Sequence, residues 1–184
     1  RRQILAVSGM AAAGLALATP LARAADAAPI VATTYGKIRG ISQDGVKAFK
    51  GIPYGASTAG ANRFMPPQPP APWSDVRDAT QFGNRAPQTD ATGFMEEEVV
   101  ALDRRTQSED CLRLNIWTAG TDGKKRPVML WCHGGGFTGG SGANVRYDGA
   151  ELAKKHGVVL VTINHRLNAL GFLYLAKLGG EKYA

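Results

Sequence analysis

Residues 128–137 read VMLWCHGGGF, and the predicted fold is built outward from this stretch. Apolar, strand-forming residues end at His133 and are followed by three glycines, which predicts a buried strand that ends in a turn of glycine backbone. Without side chains, consecutive peptide N–H groups can face one small space and let a substrate oxygen approach closely. Such a group of donors can stabilise the oxyanion of an acyl-transfer reaction. A glycine-rich turn with no chemical role is the alternative.

Length and composition indicate one globular domain. The chain has 184 residues, of which 44% are hydrophobic and 20% charged, so it is neither disordered nor fibrous in type. The formal charge of +7 comes from scattered basic residues, and Lys124-Lys125-Arg126 is the only run of three. We interpret this run as a solvated turn beside Asp122 rather than a phosphate site, and we expect no nucleic-acid partner.

The first 24 residues are typical of an export signal. Arg1-Arg2 precedes an apolar stretch rich in alanine and glycine, and Ala22-Arg23-Ala24 fits a signal-peptidase site. The segment resembles a twin-arginine signal whose first residues are missing, with a membrane anchor as the alternative. Cleavage after Ala24 would leave 19 Lys and Arg against 15 Asp and Glu, a net charge of +4. We expect a periplasmic or secreted protein without a stable membrane anchor.

The segments after the signal predict short strands and a long irregular connection. Residues 30–41 read as two strands around a turn at Tyr35-Gly36, and residues 46–52 as a third, which together predict an antiparallel meander at a sheet edge. The proline-rich stretch 66–72 indicates a rigid surface connection pinned by Trp73, with an SH3-type ligand as the alternative. Residues 95–102 predict one or two helical turns, whose three glutamates form a solvated face rather than a metal site.

Two further stretches predict how the main sheet is built. In residues 108–118, apolar and polar positions alternate, which predicts a strand with one face in the core. Residues 149–156 predict a helix that begins at a capping pair of Asp148 and Glu151 and stops at Gly157. The continuous apolar run 158–163 then predicts a strand covered on both faces. The order of strand, helix and strand predicts one βαβ unit of a doubly wound α/β sheet.

Several motifs carry a family resemblance. They are SEDCLRLN at residues 108–115, HGGGF at 133–137, NHRLNALGFL at 164–173, and the elements around Phe49 and Arg63. With them, residues 25–184 resemble the N-terminal portion of a type B carboxylesterase, the family of cholinesterases and bacterial para-nitrobenzyl esterases, and we expect the domain to be incomplete at its C-terminus. The resemblance implies an α/β-hydrolase fold and ester hydrolysis through a serine acyl-enzyme, without metal or cofactor. It also implies that Gly135 and Gly136 supply the oxyanion N–H groups, and that the substrate is a small carboxylic ester.

The same resemblance implies three structural roles. Arg63 is expected to pair with Glu109 and so tie the proline-rich region to the sheet, and Arg166 to pair with an acid beyond Ala184. Relatives bridge the cysteine of SEDC to a second cysteine, but Ala86 stands at that second position here. Cys111 and Cys132 are therefore expected to be free, buried thiols, with a bridge between the two as the alternative.

The chain contains no G-x-S-x-G, so no nucleophile elbow is expected within it. Residues 138–144 predict a flexible stretch at the substrate entrance, with Ser141 as a loop residue. None of His133, His156 and His165 fits the catalytic base; His133 is expected to brace the glycine turn. The triad is expected beyond Ala184, and a non-catalytic cholinesterase-like binding or adhesion domain is the alternative. An open apolar strand edge is expected to make the isolated chain inactive and prone to aggregate.

Overall fold

The strands of this chain form two separate sheets in the computed structural model, which describes residues 27–89 and 105–183. The expected export signal and the helical turns at 95–102 lie outside the described residues. In chain order the strands are β1 (Ile30–Ala32), β2 (Lys37–Arg39), β3 (Ile41–Gln43), β4 (Val46–Pro53), β5 (Arg77–Asp78), β6 (Arg113–Thr118), β7 (Val128–Cys132) and β8 (Val159–Ile163). The helices are α1 (Ala150–His156), α2 (Asn168–Phe172) and α3 (Ala176–Gly179), and short 3₁₀ segments cover Gly60–Asn62, Val145–Tyr147 and Glu181–Tyr183.

The N-terminal strands are divided between the two sheets, so the prediction of a single meander was wrong. The first two strands form the expected hairpin, and β5 joins it in a three-stranded sheet of order β1, β2, β5. The next strand, β3, pairs with β4 in the other sheet. The chain crosses between the sheets at Gly40, where a Cβ atom would lie 2.5 Å from the carbonyl oxygen of Ala48. A close approach of two backbones, which the local pattern does not reveal, therefore splits the meander.

The larger sheet runs in the order β3, β4, β6, β8, β7 and changes from antiparallel to parallel pairing at its last pair. Strands β7 and β8 are parallel neighbours, joined through α1, which confirms the predicted βαβ unit. Helix α1 begins one residue later than predicted, and the predicted capping pair of Asp148 and Glu151 does not form. The N-cap is Gly149, without a side-chain cap, and Asp148 Oδ1 accepts the N–H of Ala150 at 2.8 Å instead. It ends at Gly157, which has φ 63° and donates to the carbonyl of Ala153 as a left-handed cap.

Both faces of β6 are covered, so the prediction of one buried face was wrong. Asn115 and Trp117, which the alternation placed toward solvent, are each only 2% exposed. Trp117 packs in a cluster with Leu160 of β8 and with residues of β4 and α1. Leu114 and Ile116 pack on the opposite face, against a cluster formed by Ile38, Phe49, Ile52 and Ala79. An indole and a hydrogen-bonded amide can both be buried, so alternation of polarity does not identify the solvent face of a central strand.

Strand β7 lies at the edge of the described sheet and is exposed, contrary to the predicted burial. Val128 is 67% exposed and Leu130 58%, and their neighbours on the other face, Met129 and Trp131, are 44% and 42% exposed. Only β8 pairs with this strand among the described residues. The result is the open, apolar strand edge that the sequence predicted for this chain.

The proline-rich connection is fixed by its aromatic residue, as predicted. The N–H of Trp73 donates to the carbonyl of Tyr35 at 2.8 Å, and its indole N–H donates to the carbonyl of Lys37 at 2.8 Å. The guanidinium of Arg77 lies 4.1 Å from the centre of the Trp73 ring. These contacts join the connection to the three-stranded sheet.

Two residues of the basic run are solvated, as predicted, but the side chain of Arg126 is only 16% exposed. Arg126 binds both carboxylate oxygens of Asp122, at 2.6 and 3.1 Å, and this pairing lowers the pKa of the Asp122 carboxyl. Lys124 and Lys125 are exposed. No helix within residues 27–89 and 105–183 combines the length and the apolar composition needed to cross a membrane.

Candidate active site

The glycine loop, defined here as residues 133–140, follows the carboxyl end of β7. That end lies beside the carboxyl end of β8, because the two strands are parallel and Cys132 is in register with Ile163. Ligands of α/β sheets bind outside the carboxyl ends of parallel strands. The loop therefore occupies the edge of the sheet where a substrate is expected.

Gly135 has no room for a side chain. Its φ of 124° is outside the region that other residues adopt, and a Cβ atom would lie 2.0 Å from the carbonyl oxygen of Gly139. The carbonyl of Gly135 accepts the N–H groups of Thr138 and Gly139, at 3.0 and 3.2 Å. The Thr138 hydroxyl also donates to it at 3.0 Å. A tight turn thus closes around this one carbonyl group.

The amides of Gly135 and Gly136 are not used within the loop. Gly136 has φ 59°, and nothing lies within 4 Å of where its Cβ would be. Both residues are exposed. Within residues 27–89 and 105–183, neither N–H donates to a described hydrogen bond. The two predicted donors are therefore exposed and available to an acceptor from outside these residues.

His133 braces the loop, as predicted. It is 8% exposed, and its Nδ1 hydrogen-bonds to the carbonyl of Gly134 at 2.9 Å. Its ring stacks on that of His165, with centroids 4.4 Å apart and 17° between the planes. Burial lowers the pKa of His133. The pKa of His165 is also lowered, mainly by burial and to a smaller extent by the charge of the neighbouring His133. Both shifts favour the neutral form of the two rings. The third histidine, His156, lies in the last turn of α1, away from the loop.

An aromatic contact borders the loop on its exposed side. Phe137 has φ 65° and is 66% exposed. Its ring meets that of Phe172 edge to face, with centroids 4.7 Å apart. Phe172 also lies edge to face on His165 at 6.3 Å. An aromatic contact thus joins the loop, at Phe137, to the end of α2.

Two polar side chains hold the loop from within the protein. Gln88 binds both backbone groups of Gly140: its Oε1 accepts the N–H at 2.8 Å and its Nε2 donates to the carbonyl at 3.0 Å. The backbone N–H of Asn168 donates to the carbonyl of Phe137 at 2.9 Å, and its Nδ2 donates to that of Thr138 at 3.1 Å. The loop conformation therefore depends on residues far away in the sequence.

Residues 140–144 are buried, which corrects most of the prediction of a flexible substrate entrance over residues 138–144, whereas Thr138 is exposed. Ser141 and Asn144 are each 4% exposed. Asn164 Oδ1 accepts the N–H of Gly142 at 2.7 Å and the hydroxyl of Ser141 at 3.3 Å, and Thr162 donates to the carbonyl of Gly142 at 2.6 Å. These hydrogen bonds hold Ser141 and Gly142 beside the end of β8, and Ser141 lies in irregular structure, as predicted.

The implied ion pair between Arg63 and Glu109 is present. Arg63 Nε donates to Glu109 Oε2 at 2.7 Å, and the second guanidinium nitrogen contacts Oε1. The arginine side chain is 48% exposed, so the pair lies at the surface rather than in the core. Its hydrogen bonds lower the pKa of Glu109. Arg166 donates to the carbonyl of Met65 at 2.8 Å, and its expected pairing with an acid stays a prediction.

Both cysteines are free, so the alternative of a bridge between them is wrong. Cys111 is fully buried in a cluster with Ala86, Leu112 and Leu167, and burial raises the pKa of its thiol to about 11. Cys132 is exposed, because it lies on the edge strand β7, and the predicted burial of this thiol was wrong.

No group of three or more His, Cys, Asp and Glu side chains within the described ranges could hold a metal ion.

The sequence did not reveal Gln88, Asn164 and Asn168 as residues that support the loop. Each is an amide that lies far along the chain from its partners. In the sequence these residues stand only beside a proline or after the end of a strand. Such a position does not indicate which distant residue each amide binds.

A model of the carboxylesterase family matches residues 27–180 of this chain. The para-nitrobenzyl esterase of Bacillus subtilis (strain 168) is 44% identical over 147 residues, which cover 80% of this chain and 29% of that protein. The fumonisin B1 esterase of Sphingopyxis macrogoltabida is 44% identical over 160 residues, covering 86% and 28%. The crystal structure of carboxylesterase EST55 from Geobacillus stearothermophilus superposes with a TM-score of 0.75 at 46% identity, over 84% of this chain and 30% of that one. The chain thus spans less than a third of the length of these proteins.

Proposed function

We propose, from the premise that this chain belongs to the carboxylesterase family and has part of an α/β-hydrolase fold, that the whole protein hydrolyses carboxylic esters through a serine acyl-enzyme. In this proposal the N–H groups of Gly135 and Gly136 stabilise the oxyanion. The chain has no G-x-S-x-G, so the proposal assigns the nucleophile to a part of the protein outside these 184 residues.

One observation carries the proposal: two successive glycine amides are exposed at the carboxyl end of β7 and have no partner among the described residues. When a nucleophile attacks an ester carbonyl, negative charge develops on the carbonyl oxygen. Donors that are already fixed in place stabilise this charge without reorganising during the reaction. The turn around the Gly135 carbonyl fixes both amides, because the hydrogen bonds to this carbonyl and the close packing of Gly135 on Gly139 restrict rotation of the peptide groups.

Replacement of Gly136 by proline tests this assignment in the whole protein. Proline has no N–H, and removal of one oxyanion donor lowers kcat by about 10² to 10³. Gly123→Pro is the matched control, because Gly123 also has a left-handed φ, of 75°, and open space around it, but it lies in a turn away from the loop. We expect Gly136→Pro to lose turnover and Gly123→Pro to keep it. Retained turnover in Gly136→Pro would contradict the assignment, and a parent protein without turnover would favour a binding domain.

The substrate that this chemistry takes is a small carboxylic ester. The relatives include a para-nitrobenzyl esterase and a fumonisin B1 esterase. Phe137 directly follows Gly136, and its exposed ring, in contact with that of Phe172, supports an apolar group on one side of the ester. Serine acyl transfer with backbone donors calls for no metal or organic cofactor.

We also propose that the protein is exported and cut after Ala24. The support is the sequence of residues 1–24 alone, with its paired arginines, apolar stretch and small residues at the cleavage site. N-terminal sequencing of the protein from the periplasm or medium should begin at Ala25. Recovery of the protein only in the cytoplasm, with these residues intact, would contradict export.

A further inference from the structure

A buried glutamine lies at the far end of the glycine loop. Gln88 is 9% exposed, and its side-chain amide binds both the N–H and the carbonyl of Gly140, at 2.8 and 3.0 Å. The two residues are 52 positions apart in the sequence. Because one side chain binds both polar groups of one residue, Gly140 is held against translation and against rotation of its backbone.

Gln88 is itself fixed to the core. Its Nε2 also donates to the carbonyl of Ala86 at 3.0 Å, and its backbone N–H donates to Gln107 Oε1 at 2.8 Å. Ala86 belongs to the buried cluster that contains Cys111 and Leu167. The glutamine therefore connects Gly140 to a part of the molecule that is closely packed.

Gly140 in turn lies directly against the start of the loop. A Cβ atom on Gly140 would be 2.4 Å from the carbonyl oxygen of Gly134 and 2.4 Å from His133 Nδ1. The preceding residue, Gly139, has its carbonyl oxygen 2.0 Å from where a Cβ of Gly135 would be. The residues that Gln88 holds thus pack without a gap on those that precede and carry the proposed oxyanion donors. A shift of Gly140 has to move them.

We propose that Gln88 is a positioning residue for oxyanion stabilisation, acting through Gly140 on the amides of Gly135 and Gly136. This inference rests on the proposed esterase function. Gln88 does not contact the substrate in this proposal, and its effect is on where the donors point. Its loss should therefore lower kcat, with little change in KM, because the oxyanion forms only in the transition state.

Two variants of the whole protein test the role. Gln88→Met keeps the length of the side chain and removes the hydrogen bonds, and kcat should fall about 10- to 100-fold, since a misplacement of 1 Å can cost 10² in rate. In Gln88→Glu, a neutral carboxyl can accept from the N–H of Gly140 and donate to its carbonyl, whereas the ionised carboxylate cannot donate.

The glutamate variant gives a readout that a purely structural role would not move. Burial raises the pKa of a carboxyl above its ordinary value of about 4.3. The ratio of kcat for Gln88→Glu to kcat for the parent should therefore rise as the pH falls through that raised pKa. Taking the ratio at each pH cancels the titration of the catalytic histidine, which both proteins share.

Thr58→Val is the matched control. Thr58 is 4% exposed and its hydroxyl donates to the carbonyl of Glu109 at 2.6 Å, with no described hydrogen bond to the glycine loop. The melting temperature of the Thr58→Val variant should fall, while its kcat should stay at the parent value. A parent without turnover would overturn both proposals. If the parent is active, the esterase proposal stands and four results would overturn this inference alone. They are an unchanged kcat in Gln88→Met, a rise only in its KM, an equal loss of kcat in Thr58→Val, and a Gln88→Glu ratio that does not change with pH. Should Gln88→Met fail to fold, the pH ratio of Gln88→Glu alone decides.

Discussion

Replacement of Gly135 by alanine should reduce turnover far more than the same change at Gly136. At Gly135 the new Cβ would lie 2.0 Å from the Gly139 carbonyl oxygen, whereas real Cβ contacts essentially never fall below 3.0 Å. The backbone must therefore shift by at least about 1 Å, and neither partner has a flexible side chain that could absorb the shift. Such a misplacement of a catalytic group costs about 10² in rate, which corresponds to roughly 2.7 kcal/mol in the barrier.

Alanine at Gly136 has a smaller expected effect. Nothing lies within 4 Å of the new Cβ, and the N–H is retained. The main cost is that of placing alanine at φ 59°, which is about 1–2 kcal/mol of stability for the left-handed conformation. This cost affects the fraction of folded protein more than the rate of each folded molecule.

Initial rates on a chromogenic aryl ester, normalised to correctly folded protein, measure the difference. Gly123→Ala is the control for backbone strain, because Gly123 has φ 75° and open space and lies outside the loop. We expect kcat of Gly135→Ala to be at least about tenfold below that of Gly136→Ala. Equal losses in the two variants, or a Gly135→Ala variant with parent kcat, would refute the argument from close packing.

Two further predictions concern the ion pair and the open edge. Glu109→Gln should lower the folding yield and leave kcat of the surviving molecules unchanged. Arg63 lowers the pKa of Glu109 in the folded protein. The stability that this pair contributes is therefore present above the unfolded pKa of about 4.3 and is lost as the pH falls through the lower folded pKa. The melting temperatures of parent and variant should thus converge in acid, and a large loss of kcat would contradict the structural role. The isolated chain should aggregate through β7, and light scattering should show less aggregation for Leu130→Lys than for Leu152→Lys, which places the same charge on a 38% exposed leucine of α1. Cooperative melting of the isolated parent chain by circular dichroism, without aggregation, would contradict this prediction.

Local patterns predicted the elements whose causes are local. The strand β7, the stop of α1 at Gly157 and the hairpin at Tyr35-Gly36 each follow from a few adjacent residues. The turn of glycine backbone after β7 is likewise visible in the sequence as a triplet without side chains, while the role of Gly135 and Gly136 as donors stays a prediction. These features need no knowledge of what packs against them.

The failures concern contacts between distant segments. Whether Asn115 is buried depends on its hydrogen bonds to Gly51 and Thr162, which lie on other parts of the chain. The exposure of β7 depends on which strand lies next to it, and the division of the meander at Gly40 depends on the approach of Ala48. Gln88 was overlooked for the same reason, since its partner is 52 residues away.

Ala86 packs beside Cys111 in one buried cluster. No covalent link is made there, and both thiols of the chain remain reduced. Non-polar packing joins the segments that carry these two residues. This packing involves no oxidation, so the contact between Ala86 and Cys111 should form equally under reducing and oxidising conditions.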